Sequence, residues 1–350
     1  MFSAIYRTLW RSIGRYDSNY EFDLQVAEMR KQRAYVPADK PPPTIFAIRC
    51  HPKADQVCAE LDEYFFKNWP WKDKATAQQF LRSETNRWAC LALPNARDDR
   101  ILDSVRVNTL LFLLDDVAEA MSLSEGQALY KRLTPIALGK TLPDRNDPYE
   151  WMTYDIWKSM RATDPELTEV VWQGALLCIT AQVDEARLNC PDLGSLLKHR
   201  AKEAGIAFVA AVMRYSQALR LTPDDITSIS DIHTTYALLG VTVNDILSFD
   251  KEIRALRLNP DTEGAQILNM TQALANDTEL NYKASKRVLW VLCREWEVRH
   301  QQLVKERMQK KGVSKDLESY LEGLELVLGG NEWWSWRTER YQEKGLKMGE

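Results

Sequence analysis

The sequence predicts an all-α protein with a single domain, and three observations point that way. Gly and Pro number fourteen each in 350 residues, below the roughly 12% that the two contribute to average composition, which disfavours a fold of many tight turns. The prolines fall between helix-length segments, and none follows Pro260. Apolar residues recur at helical spacing, while alternating β-branched runs with hairpin signals, internal repeats and low-complexity tracts are missing.

Taken in order, Pro41, Pro42 and Pro43 set off residues 1–44 as an N-terminal extension. Its first turns carry Arg7, Arg11 and Arg15 with no acid before Asp17, a pattern that fits a docked amphipathic helix or a transit peptide. A strongly apolar helix over 102–121 turns acidic near its end. Segments 165–190, 195–220 and 224–255 carry helical periodicity, the last opening on Pro223, Asp224 and Asp225, residues suited to a first turn. Residues 261–329 read as long helices, with Leu289, Leu292, Cys293 and Trp296 on a buried face and Arg287, Arg294 and Gln301 opposite. The domain proper is expected over 45–342, followed by a charged tail, 343–350.

Composition narrows the function. A formal charge of −4 argues against a nucleic-acid platform, which needs a basic stripe, but leaves an anionic small substrate open if metal ions supply the positive charge. No apolar run approaches the roughly 18 residues of a membrane span, so stable membrane insertion is not expected. The six cysteines are scattered without a C-x-x-C pair, which suits reduced thiols and a cytoplasmic location. A zinc site from Cys50, His51 and Cys58 lacks a fourth ligand at sensible spacing. Twelve Trp supply either packing bulk or the lining of a cavity.

Two acidic constellations carry the chemistry. Asp115 and Glu119 stand four apart and share a helix face, with Asp116 about 100° around. Carboxylates one turn apart repel unless a cation sits between them, and Mg²⁺ suits oxygen ligands; a solvated acidic patch is the competing reading. Asn244, Ser248 and Glu252 form a second stripe at i, i+4 and i+8. Its single charge binds Mg²⁺ weakly unless phosphate oxygens complete the shell. At average residue usage this second pattern arises by chance in under roughly one chain in a hundred. Arg200, Lys251, Arg340 and Tyr341 are candidate donors to such a phosphate.

Together these residues resemble the class I terpene synthases, and the likeness tightens to the fungal aristolochene synthase family of sesquiterpene cyclases. It is carried by LFLLDDVAEAMS (111–122), LPDRNDPYEWMTYDIWKSMRATD (142–164), VNDILSFDKE (243–252), KRVLWVLCREWEVRH (286–300) and GNEWWSWRTERY (330–341), and covers roughly residues 50–341. The resemblance implies an α-helical bundle around a central active-site cavity. It also implies Mg²⁺-dependent ionisation of farnesyl diphosphate, cyclisation of the carbocation and release of diphosphate. Asp115, with Glu119, would hold two Mg²⁺, and Asn244, Ser248 and Glu252 a third. Arg200, Lys251, Arg340 and Tyr341 would bind diphosphate, with Arg200 as its sensor, Glu203 as linker and Ala204 as effector carbonyl. Leu196 stands where a Tyr is usual. Phe112 and Trp334 match rings that line the pocket. A homodimer is a further expectation from the family.

The sequence departs from the pattern at two pocket positions. Ala92 and Cys178 stand where aristolochene synthases carry Tyr and Phe, so a wider cavity and another product are expected, either a different hydrocarbon or a water-quenched alcohol. Aristolochene itself is the alternative. A head-to-tail prenyltransferase would need a second aspartate-rich motif in place of the Asn/Ser/Glu stripe. A helical phosphohydrolase would need His-Asp pairs, which are missing. The non-enzymatic alternative is a helical scaffold with both acidic stripes solvated.

Overall fold

The protein was analysed as a computed structural model, which describes residues 41–190, 192–258, 260 and 267–342. Among these no strand occurs. Helices run α1 (Ala54–Asn68), α2 (Lys74–Ser83), α3 (Thr85–Ala92), α4 (Ile101–Glu119), α5 (Leu123–Ala137), α6 (Pro148–Thr163) and α7 (Pro165–Gln182). After a 3₁₀ turn at Glu185–Leu188 come α8 (Leu193–Glu203), α9 (Ile206–Gln217), α10 (Pro223–Ser228), α11 (Ser230–Leu258), α12 (Met270–Thr278), α13 (Tyr282–Met308) and α14 (Lys315–Ser335). The expected tail 343–350 and all but the last four residues of the expected 1–44 extension lie outside the described residues.

Local chemistry sets the boundaries. Asp147 and Asp164 cap α6 and α7 through the Tyr149 and Leu167 amides, each followed by a proline at the first helical position, where a missing N–H costs nothing. Ser122 with Glu125, and Thr222 with Asp225, form capping boxes at the starts of α5 and α10. The segment expected as one helix over 195–220 is two, because Gly205 takes φ +68°, a conformation glycine reaches without penalty. The segment over 224–255 is likewise broken, at Ile229.

Helices α4, α9 and α11 line the cavity described below, together with residues of α3, α7, α8 and α14, and α3 packs closely on α14. Gly330 allows that packing: a Cβ there would lie 2.5 Å from Leu91 O and 3.2 Å from Ala92 N. On α13, Leu289 and Cys293 of the expected stripe are buried and Leu292 and Trp296 are partly buried against the core, with Trp290, Glu297 and His300 also buried. Arg294, expected on the outer side, is mostly buried. It stacks over Trp290 at 5.1 Å and donates to both carboxylate oxygens of Glu332, at 3.0 and 2.6 Å. Its partner on α14 pulls the guanidinium inward, something that periodicity within α13 does not record.

Candidate active site

Helix α4 ends in Asp115, Asp116 and Glu119 with no basic residue in its last turn. The C-terminus of a helix carries partial negative charge, so three carboxylates there are mutually unfavourable and attract cations. One oxygen from each lies within 4.8 Å of the others, a spacing and donor chemistry that fit a hard divalent ion. Burial, reinforced by Glu119 and Asp116, pushes the Asp115 carboxyl up to about 8. Asp116 behaves oppositely: burial would raise it, but Arg340 and Lys251 hold it below the usual carboxylate range. Arg340 grips Asp116 with both terminal nitrogens, at 2.8 and 2.6 Å. Lys251 reaches Glu119 at 3.0 Å and Asp116 at 3.4 Å.

The other wall belongs to α11. Asn244, Ser248 and Glu252 all line the cavity. Asn244 donates to the Tyr341 hydroxyl at 3.0 Å and accepts from Arg200 at 3.3 Å. Ser248 donates to Glu252, whose second oxygen accepts from Asn269 at 3.0 Å. Burial first, then the charge of Asp245, raises Glu252 to about 7 against the opposing pull of Arg200. Asp245 is fully buried; it pairs with Arg200 and accepts the Met270 amide at 2.9 Å, so it ties α8 and α12 to α11. Arg200 also donates to Glu203 at 2.9 Å.

Between these walls lies a cavity of about 330 Å³, within the range small-molecule sites use. Its rim is charged and its interior apolar, with Phe112, Phe208, Val209 and Leu328 among the lining. The sequence model described as terpene synthase family 2, C-terminal metal binding, matches residues 106–299, more than half the chain and the part that supplies both carboxylate stripes. The chain belongs to the terpene synthase family. Aristolochene synthase of Penicillium roqueforti is 41% identical over 302 residues, covering 86% of this chain and 88% of that protein. Aristolochene synthase of Aspergillus terreus is 39% identical over 303 residues, with 86% and 94% covered. The crystal structure of the P. roqueforti protein superposes with a TM-score of 0.76 at 39% identity, over 86% of this chain and all of that one.

In this terpene synthase, the expected site residues mostly converge: Phe112, Asp115, Glu119, Cys178, Arg200, Ala204, Asn244, Ser248, Lys251, Glu252, Arg340 and Tyr341 all line the cavity. Ala92 and Trp334 are not among the lining residues, which corrects the expectation for both. Ala92 is buried in the close contact of α3 with Gly330. The Trp334 indole turns toward the α2–α3 junction, donating to Ser83 O and Glu84 O at 3.0 and 3.1 Å. It stands behind the wall, 6.4 Å from the Phe112 ring and 5.6 Å from Tyr341. Trp88 takes the place in the lining, edge-on to Phe112 at 4.9 Å.

Several residues escaped the sequence reading. Asp116, about 100° around the helix from the face of Asp115 and Glu119, joins the carboxylate cluster because Arg340 and Lys251 hold it there. Gln182 donates to Asp115 while accepting from Tyr130 at 2.6 Å, and no local motif marks it. Asn108 was accessible to reasoning, since it lies four residues before Phe112 and seven before Asp115, on the same helix face. Cys50, His51 and Cys58 do not form a metal-ligand group; among the described residues only Asp115, Asp116 and Glu119 do. Among the described residues no helix is long and apolar enough to cross a membrane.

Proposed function

We propose that the chain is a Mg²⁺-dependent sesquiterpene cyclase that ionises farnesyl diphosphate, cyclises the resulting carbocation and releases diphosphate. One observation carries this reading: a ring of Arg200, Lys251, Arg340 and Tyr341 and two facing carboxylate-bearing stripes stand over an apolar cavity. That arrangement suits a ligand with a highly anionic head and a hydrocarbon body. Asp115, Glu119 and the adjacent Asp116 on one wall, and Asn244, Ser248 and Glu252 on the other, would hold the metal, three ions in all. Bound there, Mg²⁺ supplies the positive charge that makes diphosphate a competent leaving group.

The protein's own residues do the rest. Arg200, Lys251, Arg340 and Tyr341 donate hydrogen bonds to the leaving diphosphate, where charge develops. Arg200 acts as sensor, linked through Glu203 to the Ala204 end of α8. Apolar walls keep bulk water from the allylic cation. Phe112 presents a ring that stabilises positive charge without acting as nucleophile or base; Trp334 buttresses that ring from behind. Cys178 lines the cavity where the resemblance implies an aromatic ring, leaving more room and less cation–π stabilisation, so the product differs from aristolochene. Ala92 contributes nothing to this argument, being outside the lining. The six free thiols support a cytoplasmic location, and the family resemblance supports a homodimer.

Incubation with farnesyl or geranyl diphosphate and Mg²⁺, with diphosphate assayed and volatiles analysed by gas chromatography–mass spectrometry, tests the reading. Cyclic fifteen-carbon products are expected. Absence of diphosphate release from both substrates overturns it, and aristolochene as main product overturns the product assignment alone.

Metal binding should also be linked to pH. Asp115 near 8 and Glu252 near 7 retain protons at neutrality that a metal must displace. Between the ordinary carboxylate value of about 4 and these raised values, the native state binds more protons than the unfolded chain. Metal-free stability therefore falls as pH rises through that window. The rise in melting temperature on adding Mg²⁺ with inorganic diphosphate should be larger at pH 8.5 than at pH 6, with proton release in calorimetry greater at the lower pH, which lies below both raised values. A pH-independent shift contradicts this assignment.

A further inference from the structure

Two polar groups deep in the cavity wall have no hydrogen-bond partner among the described residues. Asn108 is 1% exposed and lines the cavity. Its Nδ2 donates to Ser104 O at 2.8 Å, which fixes the amide orientation, because a carbonyl only accepts. The remaining atom, Oδ1, is a buried acceptor without a partner. Tyr236 is 2% exposed, also lines the cavity, and its hydroxyl is equally unpartnered. Buried polar groups are ordinarily satisfied, so two such groups on the walls of one cavity point to an occupant that makes hydrogen bonds.

Their depth matches. Asn108 stands seven residues before Asp115 on α4, roughly 10 Å along the helix axis. Tyr236 stands eight residues before Asn244 on α11, roughly 12 Å along its axis. Both therefore lie well below the charged rim, at the level of the hydrocarbon body rather than of the diphosphate. A hydrocarbon satisfies neither group, whereas a water molecule can donate to an amide oxygen and exchange a hydrogen bond with a phenol. Cys178 does not compete for that water, since its thiol donates to Glu203 O at 3.0 Å.

We propose that Asn108 and Tyr236 hold a water in the cavity floor and that this water ends the reaction, making the product a sesquiterpene alcohol. The inference rests on the cyclase reading and deepens it by naming the product class. In the terminal step a lone pair of the water oxygen forms a C–O bond to the cationic carbon. The resulting oxonium loses its proton to the diphosphate released at ionisation. Farnesyl diphosphate and one water thus give one alcohol and one protonated diphosphate. Both holding groups are neutral at working pH, burial having raised the Tyr236 phenol, so they polarise the water without themselves trapping the cation.

The test compares wild type, Asn108→Leu and Tyr236→Phe, each incubated with farnesyl diphosphate and Mg²⁺ in ¹⁸O-labelled water. Products are analysed by mass spectrometry, total diphosphate is assayed, and circular dichroism checks each fold. An ¹⁸O-labelled alcohol is expected as the main wild-type product, its share of total product falling about tenfold in each folded variant as hydrocarbon replaces it. Tyr236→Phe removes only the hydroxyl and so decides the matter if Asn108→Leu misfolds. An unlabelled hydrocarbon as the main wild-type product overturns the inference and leaves the cyclase reading standing. A labelled alcohol whose share is unchanged in the folded variants overturns the role of these two residues. No diphosphate release from the wild type overturns the cyclase reading and this inference with it.

Discussion

Arg340→Met is expected to lower kcat/KM for farnesyl diphosphate by about 10²–10³-fold, the size of effect seen when one preorganised donor to a developing oxyanion is removed. The loss should fall mainly on kcat, because the charge on the departing diphosphate is greatest in the transition state. Arg340 is bonded by two nitrogens to Asp116 and lies 5.9 Å from the Phe112 ring centre. Its removal therefore also frees a carboxylate beside Asp115 and Glu119, and the metal-free protein should melt lower as the three repel one another. Asp116→Asn separates the two roles. If Arg340 serves only to restrain Asp116, the double variant Arg340→Met/Asp116→Asn should recover stability and turn over as fast as Asp116→Asn alone, the control for losing a metal-holding carboxylate. If it serves the leaving group, stability returns and kcat stays well below that of Asp116→Asn. Rapid-quench measurement of diphosphate release alongside thermal melts distinguishes the two, and a double variant as fast as Asp116→Asn would sink the assignment.

What sequence made visible was whatever a single helix encodes. Asp115 with Glu119, and Asn244 with Ser248 and Glu252, each lie on one helix at spacings that force a shared face, so residue type and period sufficed. Pro223, Asp224 and Asp225 carried the start of α10 in the same local way. Features set by contact between helices were not visible. Whether position 92 lines the cavity depends on how closely α3 approaches Gly330, and the direction of the Trp334 indole depends on carbonyls at Ser83 and Glu84. Arg294 was misread for the same reason, its fate resting on Glu332 across an interface. The proposal of a widened pocket accordingly rests on Cys178, which lines the cavity, and not on Ala92. The unpartnered atoms of Asn108 and Tyr236 were invisible too, because a missing partner can be recognised only once every neighbour is known.

Asp164→Ala is expected to destabilise the fold by about 3–5 kcal/mol, the cost of removing one member of a buried charge pair. Its side chain is 3% exposed and accepts from Arg100 at 2.9 Å and Arg220 at 2.7 Å. The same carboxylate caps α7 through the Leu167 amide at 3.1 Å, so the substitution also removes a helix cap worth about 1 kcal/mol. Arg100, buried and lying 5.0 Å from the Tyr215 ring centre, cannot turn to solvent to recover what it loses. Asp164→Asn keeps an oxygen for the cap but not the charge, and should fall between wild type and the alanine variant in urea-induced unfolding. Burial works to raise the Asp164 carboxyl, but Arg220, the Leu167 amide and Arg100 together hold it below its ordinary value. A depressed native pKa stabilises the fold above the unfolded value of about 4 and ceases to do so as pH falls through the native value. The gap between wild type and Asp164→Asn should therefore be full at pH 7 and close in acid. Asp99→Ala is the contrasting case: its pair with Arg97 is more than half exposed, and its loss should cost under about 1 kcal/mol. Equal costs at the two positions would show that the buried network contributes no more than a surface pair. In that event the placement of α7, which carries Gln182 and Cys178 to the cavity, would have to rest on apolar packing alone.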